Sequence, residues 1–137
     1  MKIIINELKN KGFLSQGLKG KIKKVTKLVL SRKNIKGAVS ITFVDDPFIR
    51  KLNKKHRKMD RATDVLSFSM DEEGLIGDIV ISLDSAKRNA KRYNEELNKE
   101  ILRLVVHGSL HLMDFDHVKK SERQHFFKKQ DSVLKQI

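Results

Sequence analysis

Three histidines in the last third of the chain have a spacing that could hold a metal ion. His107 and His111 are four residues apart, so in a helix their side chains project from the same side, about one turn apart. His117 follows six residues after His111, where the chain should leave the helix and can fold back. Three neutral imidazoles leave one position of a zinc ion open, as in catalytic sites. The spacing therefore predicts one catalytic Zn2+ per chain, held by these three histidines.

The same pattern has less specific interpretations. A His-x-x-x-His pair alone is typical of histidines at a helix surface or core edge, and the zinc hypothesis depends on His117 as well. Zinc proteases carry a Glu directly after the first His as general base, whereas Gly108 stands there in this sequence, which disfavours a standard zinc protease. Asp114 and Asp116 are the nearby carboxylates. Each could orient a ligand histidine, accept a proton or simply cap a turn.

Composition narrows the chemistry further. The chain has 137 residues, with 30 Lys and Arg against 17 Asp and Glu, a formal net charge of +13. Such an excess favours polyanionic partners, nucleic acid ahead of an anionic membrane. The absence of cysteine excludes disulfides, thiolate catalysis and cysteine-based zinc sites. The length predicts one domain over residues 1–137.

The sequence also favours a cytoplasmic protein. No apolar run approaches the roughly 18 residues that a membrane helix needs. The opening residues, Met1 to Glu7, turn polar too early for the apolar core of a signal peptide. We therefore expect no membrane partner.

Hydrophobic periodicity predicts the elements that must position the histidines. Alternating apolar residues indicate strands, and apolar residues three or four apart indicate helices. The predicted elements are a strand at 3–6, a helix with a basic outer face through 18–29, a strand at 38–43, a helix that begins at Asp45 or Asp46, a hairpin of strands at 64–70 and 75–83, a helix capped by Asp84 or Ser85, a helix over 95–113, and a C-terminal helix from about Ser121. This order predicts an α+β fold: a small mixed sheet of about four strands packed with about five helices, one of them a zincin-like metal-binding helix.

The histidine segment resembles the signature of a known family. The run His107-Gly-Ser-Leu-His111-Leu-Met-Asp-Phe-Asp-His117 is similar to the H-G-x-L-H-L-x-G-Y-D-H motif of the bacterial YbeY family. Further blocks agree in the same order over nearly the whole chain: Leu52-Asn53 followed by Arg57, then 63–68, then 77–82. Asp and Phe replace the Gly and Tyr of the motif, and these departures remove no proposed catalytic group. The resemblance implies a metal-dependent, single-strand-specific endoribonuclease that matures ribosomal RNA, notably the 3′ end of 16S rRNA, and acts in ribosome quality control.

The resemblance also implies roles for individual residues. His107, His111 and His117 match the family's zinc ligands, and Arg57 matches its functionally important arginine. A planar guanidinium suits the negative charge that gathers on a phosphate in the transition state. Without the resemblance, Arg57 could be any of the backbone-binding cations between Arg50 and Arg61.

Partners follow from the charge distribution together with the resemblance. Residues 1–36 contain eleven Lys or Arg and one acid, Glu7. We expect this region and the segment 50–61 to bind the phosphates of an RNA such as the ribosomal RNA precursor of the small ribosomal subunit, in a groove between them. The segment 64–84 contains no Lys or Arg, so we expect it to face away from the RNA or to meet a basic ribosomal protein.

Two other functions remain open at this point. The first is a non-catalytic, basic RNA-binding protein of ribosome assembly, whose histidines would bind no metal tightly. The second is a metallohydrolase that acts on amides or small esters. The residue patterns specify no oligomeric state.

Overall fold

Four strands and five helices make up the part of the chain that the computed structural model describes, namely residues 1–8, 11–30, 37–72, 74–113 and 120–135. In chain order they are β1 (Lys2–Glu7), α1 (Gln16–Leu30), β2 (Ala38–Val44), α2 (Asp46–Arg57), β3 (Val65–Glu72), β4 (Leu75–Ser82), α3 (Leu83–Arg92), α4 (Leu97–Leu112) and α5 (Lys120–Lys135). The α+β prediction is confirmed. Within these ranges, no helix combines the length and the apolar character needed to cross a membrane.

The strands form one mixed sheet in the order β1-β2-β4-β3. β1 runs parallel to β2, and β2 runs parallel to β4. β3 pairs antiparallel with β4, which confirms the predicted hairpin. β4 is buried along most of its length because it is an inner strand with helices on both faces.

The alternation in β2 assigns the two faces of the sheet. Val39, Ile41 and Phe43 are fully buried in the main hydrophobic cluster, together with residues of α1 and α4. Ser40 and Thr42 alternate with them and therefore lie on the other face. The main core is thus a layer between the sheet and the two helices α1 and α4.

The second face of the sheet packs against α2. Val44 and Val80 form a separate hydrophobic cluster there with Ile49 of α2 and Leu66. The two basic helices, α1 and α2, consequently lie on opposite faces of the sheet. The prediction of a groove between the basic N-terminal helix and the segment 50–61 is therefore wrong, because the sheet lies between them.

Two glycines let α4 approach the sheet closely. A Cβ atom on Gly108 would lie 2.7 Å from Cγ2 of Ile79 and 3.1 Å from Oγ of Ser67. A Cβ atom on Gly77 of β4 would lie 2.7 Å from Cδ2 of Leu112. The hydroxyl of Ser67 also donates a hydrogen bond to the carbonyl of Gly108 at 2.9 Å. The glycine that follows His107 is therefore a packing residue that fixes the distance between helix and sheet.

The helix caps agree with the sequence in one case and differ in another. Asp45 caps α2 by accepting a hydrogen bond from the backbone N–H of Phe48 at 3.0 Å, as predicted for this pair of acids. The cap of α3 is Ser82, whose hydroxyl accepts from the N–H of Ser85 at 3.2 Å. The prediction of Asp84 or Ser85 as this cap is wrong because α3 begins directly where β4 ends.

Candidate metal centre

His107 and His111 meet on one side of α4, as their spacing predicts. Their Nε2 atoms are 2.9 Å apart, and their ring centroids are 4.6 Å apart in an edge-to-face arrangement. Both side chains are half-buried, at the border between the apolar face of the helix and its exposed side. The helix thus brings two imidazole nitrogens to a common point.

This pair fits the requirements of a zinc ion. Two nitrogens bound to tetrahedral zinc at about 2.0–2.1 Å lie roughly 3.3 Å from each other, a few tenths of an ångström more than the observed separation. His107 Nδ1 is 3.0 Å from the amide oxygen of Gln130, so its Nε2 is the nitrogen left to face His111. Small ring rotations would suffice to admit an ion.

The third predicted ligand, His117, lies outside the residues that the structure describes, as do Asp114 and Asp116. Among the described residues, no group of three His, Asp or Glu side chains is arranged to hold a metal ion. The described part of the site is therefore a two-histidine half-site on α4.

The surroundings of His107 favour the neutral imidazole. Burial lowers the pKa of His107, and the neighbouring charge of His111 lowers it further, while the hydrogen bond with Gln130 acts in the opposite direction. Neutral imidazole is the form that binds metals. The helix therefore presents a ligand that need not lose a proton at neutral pH.

A partly buried polar network includes two residues of α4 that come one and two helical turns before His107. The carboxylate of Glu100, which is 4% exposed, accepts hydrogen bonds from Arg103 Nε at 2.6 Å and Nη2 at 2.7 Å. Asn89 donates to both Glu100 and Asp64. The charges of Asp64 and Arg103 act on the pKa of His107 in opposite directions. The network thus holds a fixed cation and an acid near the histidine pair.

Arg57, the predicted arginine of the site, is the last residue of α2 and is exposed. α2 packs on the face of the sheet opposite α4. Its guanidinium forms no hydrogen bond or ion pair with another residue in the described ranges. It is therefore available to an external anion.

Gln130, Glu100 and Arg103 are site residues that the sequence patterns did not single out. Arg103 is four residues before His107 and so shares its side of the helix. Gln130 is a polar residue next to the apolar positions Val133 and Leu134 of α5, at helical spacing. The sequence shows both spacings, but neither spacing identifies the side chain that Arg103 or Gln130 contacts.

The fold and the histidine pair define a class of α+β proteins in which a helix with a His-x-x-x-His pair packs against a small mixed sheet. The sequence model of one family, Endoribonuclease YbeY, matches residues 3–137. The chain belongs to this YbeY family.

Several curated relatives named Endoribonuclease YbeY support this assignment. The protein of Desulforamulus reducens is 36% identical over 149 residues, covering 100% of this chain and 97% of the relative. The protein of Treponema denticola is 46% identical over 118 residues, covering 79% and 76%. The protein of Bacillus subtilis is 32% identical over 149 residues, covering 98% and 95%.

A solved structure agrees with the fold. The solution structure of TM1509 from Thermotoga maritima matches with a TM-score of 0.67 and 31% identity, over 96% of this chain and 86% of that protein. The fold and the sequence therefore point to the same family.

Proposed function

We propose that this protein is a zinc-dependent, single-strand-specific endoribonuclease that matures the 3′ end of 16S rRNA and acts in ribosome quality control. The proposal combines membership of the YbeY family with the geometry of α4. The observation that carries it is the 2.9 Å separation between the Nε2 atoms of His107 and His111. Two imidazole nitrogens this close together, within the segment that resembles the family motif, support the proposal.

In this proposal His107, His111 and His117 hold one zinc ion per chain. When bound, zinc supplies a Lewis acid that acidifies water and neutralises charge on a phosphoryl group. Burial favours the neutral form of His107, and the helix sets the spacing between His107 and His111. The position directly after the first histidine, Gly108, faces Ile79 and Ser67 and has no room for the side chain of a general base. In this proposal the general base is therefore another group.

Arg57 binds the phosphate of the substrate in this proposal. Its planar fork of N–H donors matches two phosphate oxygens at once. Because its guanidinium has no partner among the described residues, it loses no internal ion pair on binding RNA. Its place at the end of α2 means that the bound strand must extend past the edge of the sheet to reach both Arg57 and the histidines.

The proposed setting is the cytoplasm, with the small ribosomal subunit as partner. A basic ribosomal protein is a further proposed partner of the acidic segment 64–84. Within that segment Asp64 accepts a hydrogen bond from Asn89, and Asp84 accepts one from the backbone of Asp46. Asp78 instead lines an open groove of about 420 Å³ on the α2 face, where a partner can reach it.

The first experiment measures zinc per chain by elemental mass spectrometry in protein purified without a polyhistidine tag. The wild type is compared with His111→Ala, and with His56→Ala as a control, because His56 is an exposed histidine on α2. We expect about one zinc in the wild type and the control, and none in His111→Ala. Zinc absent from all three proteins, even after zinc addition and dialysis, would contradict the proposal and favour a non-catalytic RNA-binding protein.

The second experiment tests the substrate. The zinc-loaded wild type is incubated with single-stranded RNA spanning the 3′ end of a 16S rRNA precursor, with the same sequence as a duplex, and with a panel of peptides and esters. We expect cleavage of the single strand alone. Turnover of the peptides or esters without RNA cleavage would instead identify a metallohydrolase of another substrate class.

A further inference from the structure

Gln130 is a buried polar residue on a helix that also has exposed positions close to it. It lies on α5 and is 4% exposed, whereas Lys128 and Asp131 beside it are exposed. A buried amide must find hydrogen-bond partners or destabilise the fold. All buried side-chain nitrogen and oxygen atoms of the described residues have such partners.

The partner of the Gln130 amide oxygen is a ring nitrogen of His107. Oε1 of Gln130 lies 3.0 Å from Nδ1 of His107. A carbonyl oxygen only accepts hydrogen bonds, so Nδ1 must carry the proton. A neutral imidazole has one such proton, which leaves the lone pair on Nε2. This is the nitrogen that faces Nε2 of His111 at 2.9 Å.

We infer that Gln130 is a positioning residue of the metal centre: it fixes the Nδ1–H tautomer and the ring orientation of His107, and so presents the Nε2 lone pair to the ion. The inference rests on the proposed zinc function. Metal-ligating histidines usually donate their second ring N–H to an oxygen acceptor, which orients the ring and raises the basicity of the ligand. Gln130 supplies that acceptor from a different helix.

This contact has a consequence for the assembly of the site. α5 begins three residues after His117 in the sequence, and Gln130 is ten residues into this helix. The amide therefore joins the element that follows the third proposed ligand to the first ligand on α4. The contact between Gln130 and His107 is thus part of the packing of α5 against α4, which the buried Val133 also supports.

The test compares Gln130→Met, which keeps the length but has no acceptor, with Gln130→Glu, which keeps the acceptor oxygen. Asp131→Ala is the matched control, because this neighbour is exposed. Nitrogen-15 NMR of the metal-free proteins, at a pH where His107 is neutral, reports which ring nitrogen carries the proton. Competition with a chromophoric zinc chelator measures the Kd for zinc.

We expect wild type, Gln130→Glu and Asp131→Ala to show the Nδ1–H tautomer and to bind zinc with similar affinity or, for Gln130→Glu, more tightly. Gln130→Met should lose the dominance of this tautomer and bind zinc about 10–100-fold more weakly. Rescue by Glu separates positioning from simple packing, since Met fills the same space.

Two results would overturn the inference. One is a wild-type His107 that carries its proton on Nε2 in the metal-free protein. The other is a folded Gln130→Met that binds zinc within twofold of the wild type. If Gln130→Met does not fold, loss of the Nδ1–H tautomer in Gln130→Glu would also overturn it. Failure of the wild type to bind zinc at all contradicts the proposed function, whereas the tautomer is measured without metal and tests Gln130 separately.

Discussion

The arginines of this protein differ in what their side chains already bind. Arg50 donates to Asp60 at 2.8 Å, and Arg88 forms an ion pair with Asp46 at 2.7 Å. Arg103 is held by the buried carboxylate of Glu100. Arg57 has no such internal partner within the described ranges. A guanidinium without an internal partner can bind an incoming phosphate without first breaking an ion pair.

Replacing Arg57 separates metal binding from cleavage. We expect Arg57→Ala to keep the zinc content of the wild type and to lower the rate of RNA cleavage by about 100-fold or more, since a cationic donor to the transition state is lost. Arg57→Lys should also remain slow because a lysine cannot bind two oxygens in a fork. Zinc content and single-turnover rates check this prediction, with Arg50→Ala as the control. A zinc-free Arg57→Ala protein would contradict the assigned role.

Asp46 shows how a single carboxylate can join three elements. Burial raises the pKa of Asp46, but hydrogen bonds from Arg88, Ser82 and Ser85 together outweigh burial and hold the pKa below its usual value. Its Oδ1 accepts from the hydroxyls of Ser82 at 2.6 Å and Ser85 at 2.8 Å. The ionised carboxylate thereby fixes the start of α2 against the junction of β4 and α3.

This depressed pKa predicts a pH-dependent contribution to stability. A carboxylate with a folded pKa below its unfolded value, about 3.9, stabilises the fold above that value, and the contribution is lost as the pH falls through the folded pKa. We expect Asp46→Asn to lower the free energy of unfolding at pH 7 by about 1–3 kcal/mol. Urea denaturation should show this difference shrinking below about pH 4. The control Asp60→Asn, in an exposed ion pair, should leave the free energy of unfolding nearly unchanged, because solvent screens that pair. An equal loss at pH 3 and pH 7 would contradict the electrostatic origin.

At the scale of the elements, α4 both packs against the sheet and carries two of the proposed metal ligands. Gly108 faces β3 and β4 with no room for a side chain, while His107 and His111 lie at the border of the same helix. A displacement of α4 away from the sheet would therefore move both histidines. The tight packing at Gly108 is thus part of how the fold positions the site.

Adding a methyl group at Gly108 should displace α4. We expect Gly108→Ala to lower the free energy of unfolding by about 1–3 kcal/mol through overpacking. Gly20→Ala in α1 is the control: nothing lies within 4 Å of its added Cβ, so the better helix propensity of Ala should stabilise the protein by about 0.5–1 kcal/mol. Thermal and urea unfolding check both values. A stabilising Gly108→Ala would show that the sheet yields easily at this contact.

At the scale of the whole molecule, the positive charge forms two surfaces on opposite faces of the sheet. One is the outer side of α1, where Lys23, Lys24 and Lys27 are exposed. The other is the outer side of α2, which includes Lys51, Lys54 and Lys55, all exposed. The histidine pair lies on α4, which packs on the same face as α1. An RNA that touches both surfaces must pass around the sheet.

Salt dependence can show which surface binds RNA. For single strands, the slope of log Kobs against log salt concentration changes by roughly 0.7 for each phosphate contact. If both surfaces bind, replacing the three lysines of α1 with Gln should lower the magnitude of the slope by up to about 2, and so should replacing those of α2. Fluorescence anisotropy over a salt series measures these slopes. An unchanged slope for one triple variant would remove that surface from the RNA path.

Local patterns in the sequence were sufficient for much of the fold. The alternation of Val39, Ile41 and Phe43 predicted a strand with one buried face, and the four-residue spacing of His107 and His111 predicted their meeting on a helix. The hairpin and the capping of α2 by Asp45 also followed from neighbouring residues. These features follow from patterns within short stretches of the chain, which the sequence displays directly.

The tertiary structure alone decided how these elements come together. It placed α1 and α2 on opposite faces of the sheet. The sequence could not predict this, because each helix has an apolar side but neither pattern specifies which face of the sheet that side packs against. It also brought Gln130 to His107, 23 residues away, and gave Gly108 a contact with Ile79 of another element. Such contacts depend on how the whole chain folds in three dimensions. A periodicity that extends over a few residues contains no information about contacts between distant parts of the chain.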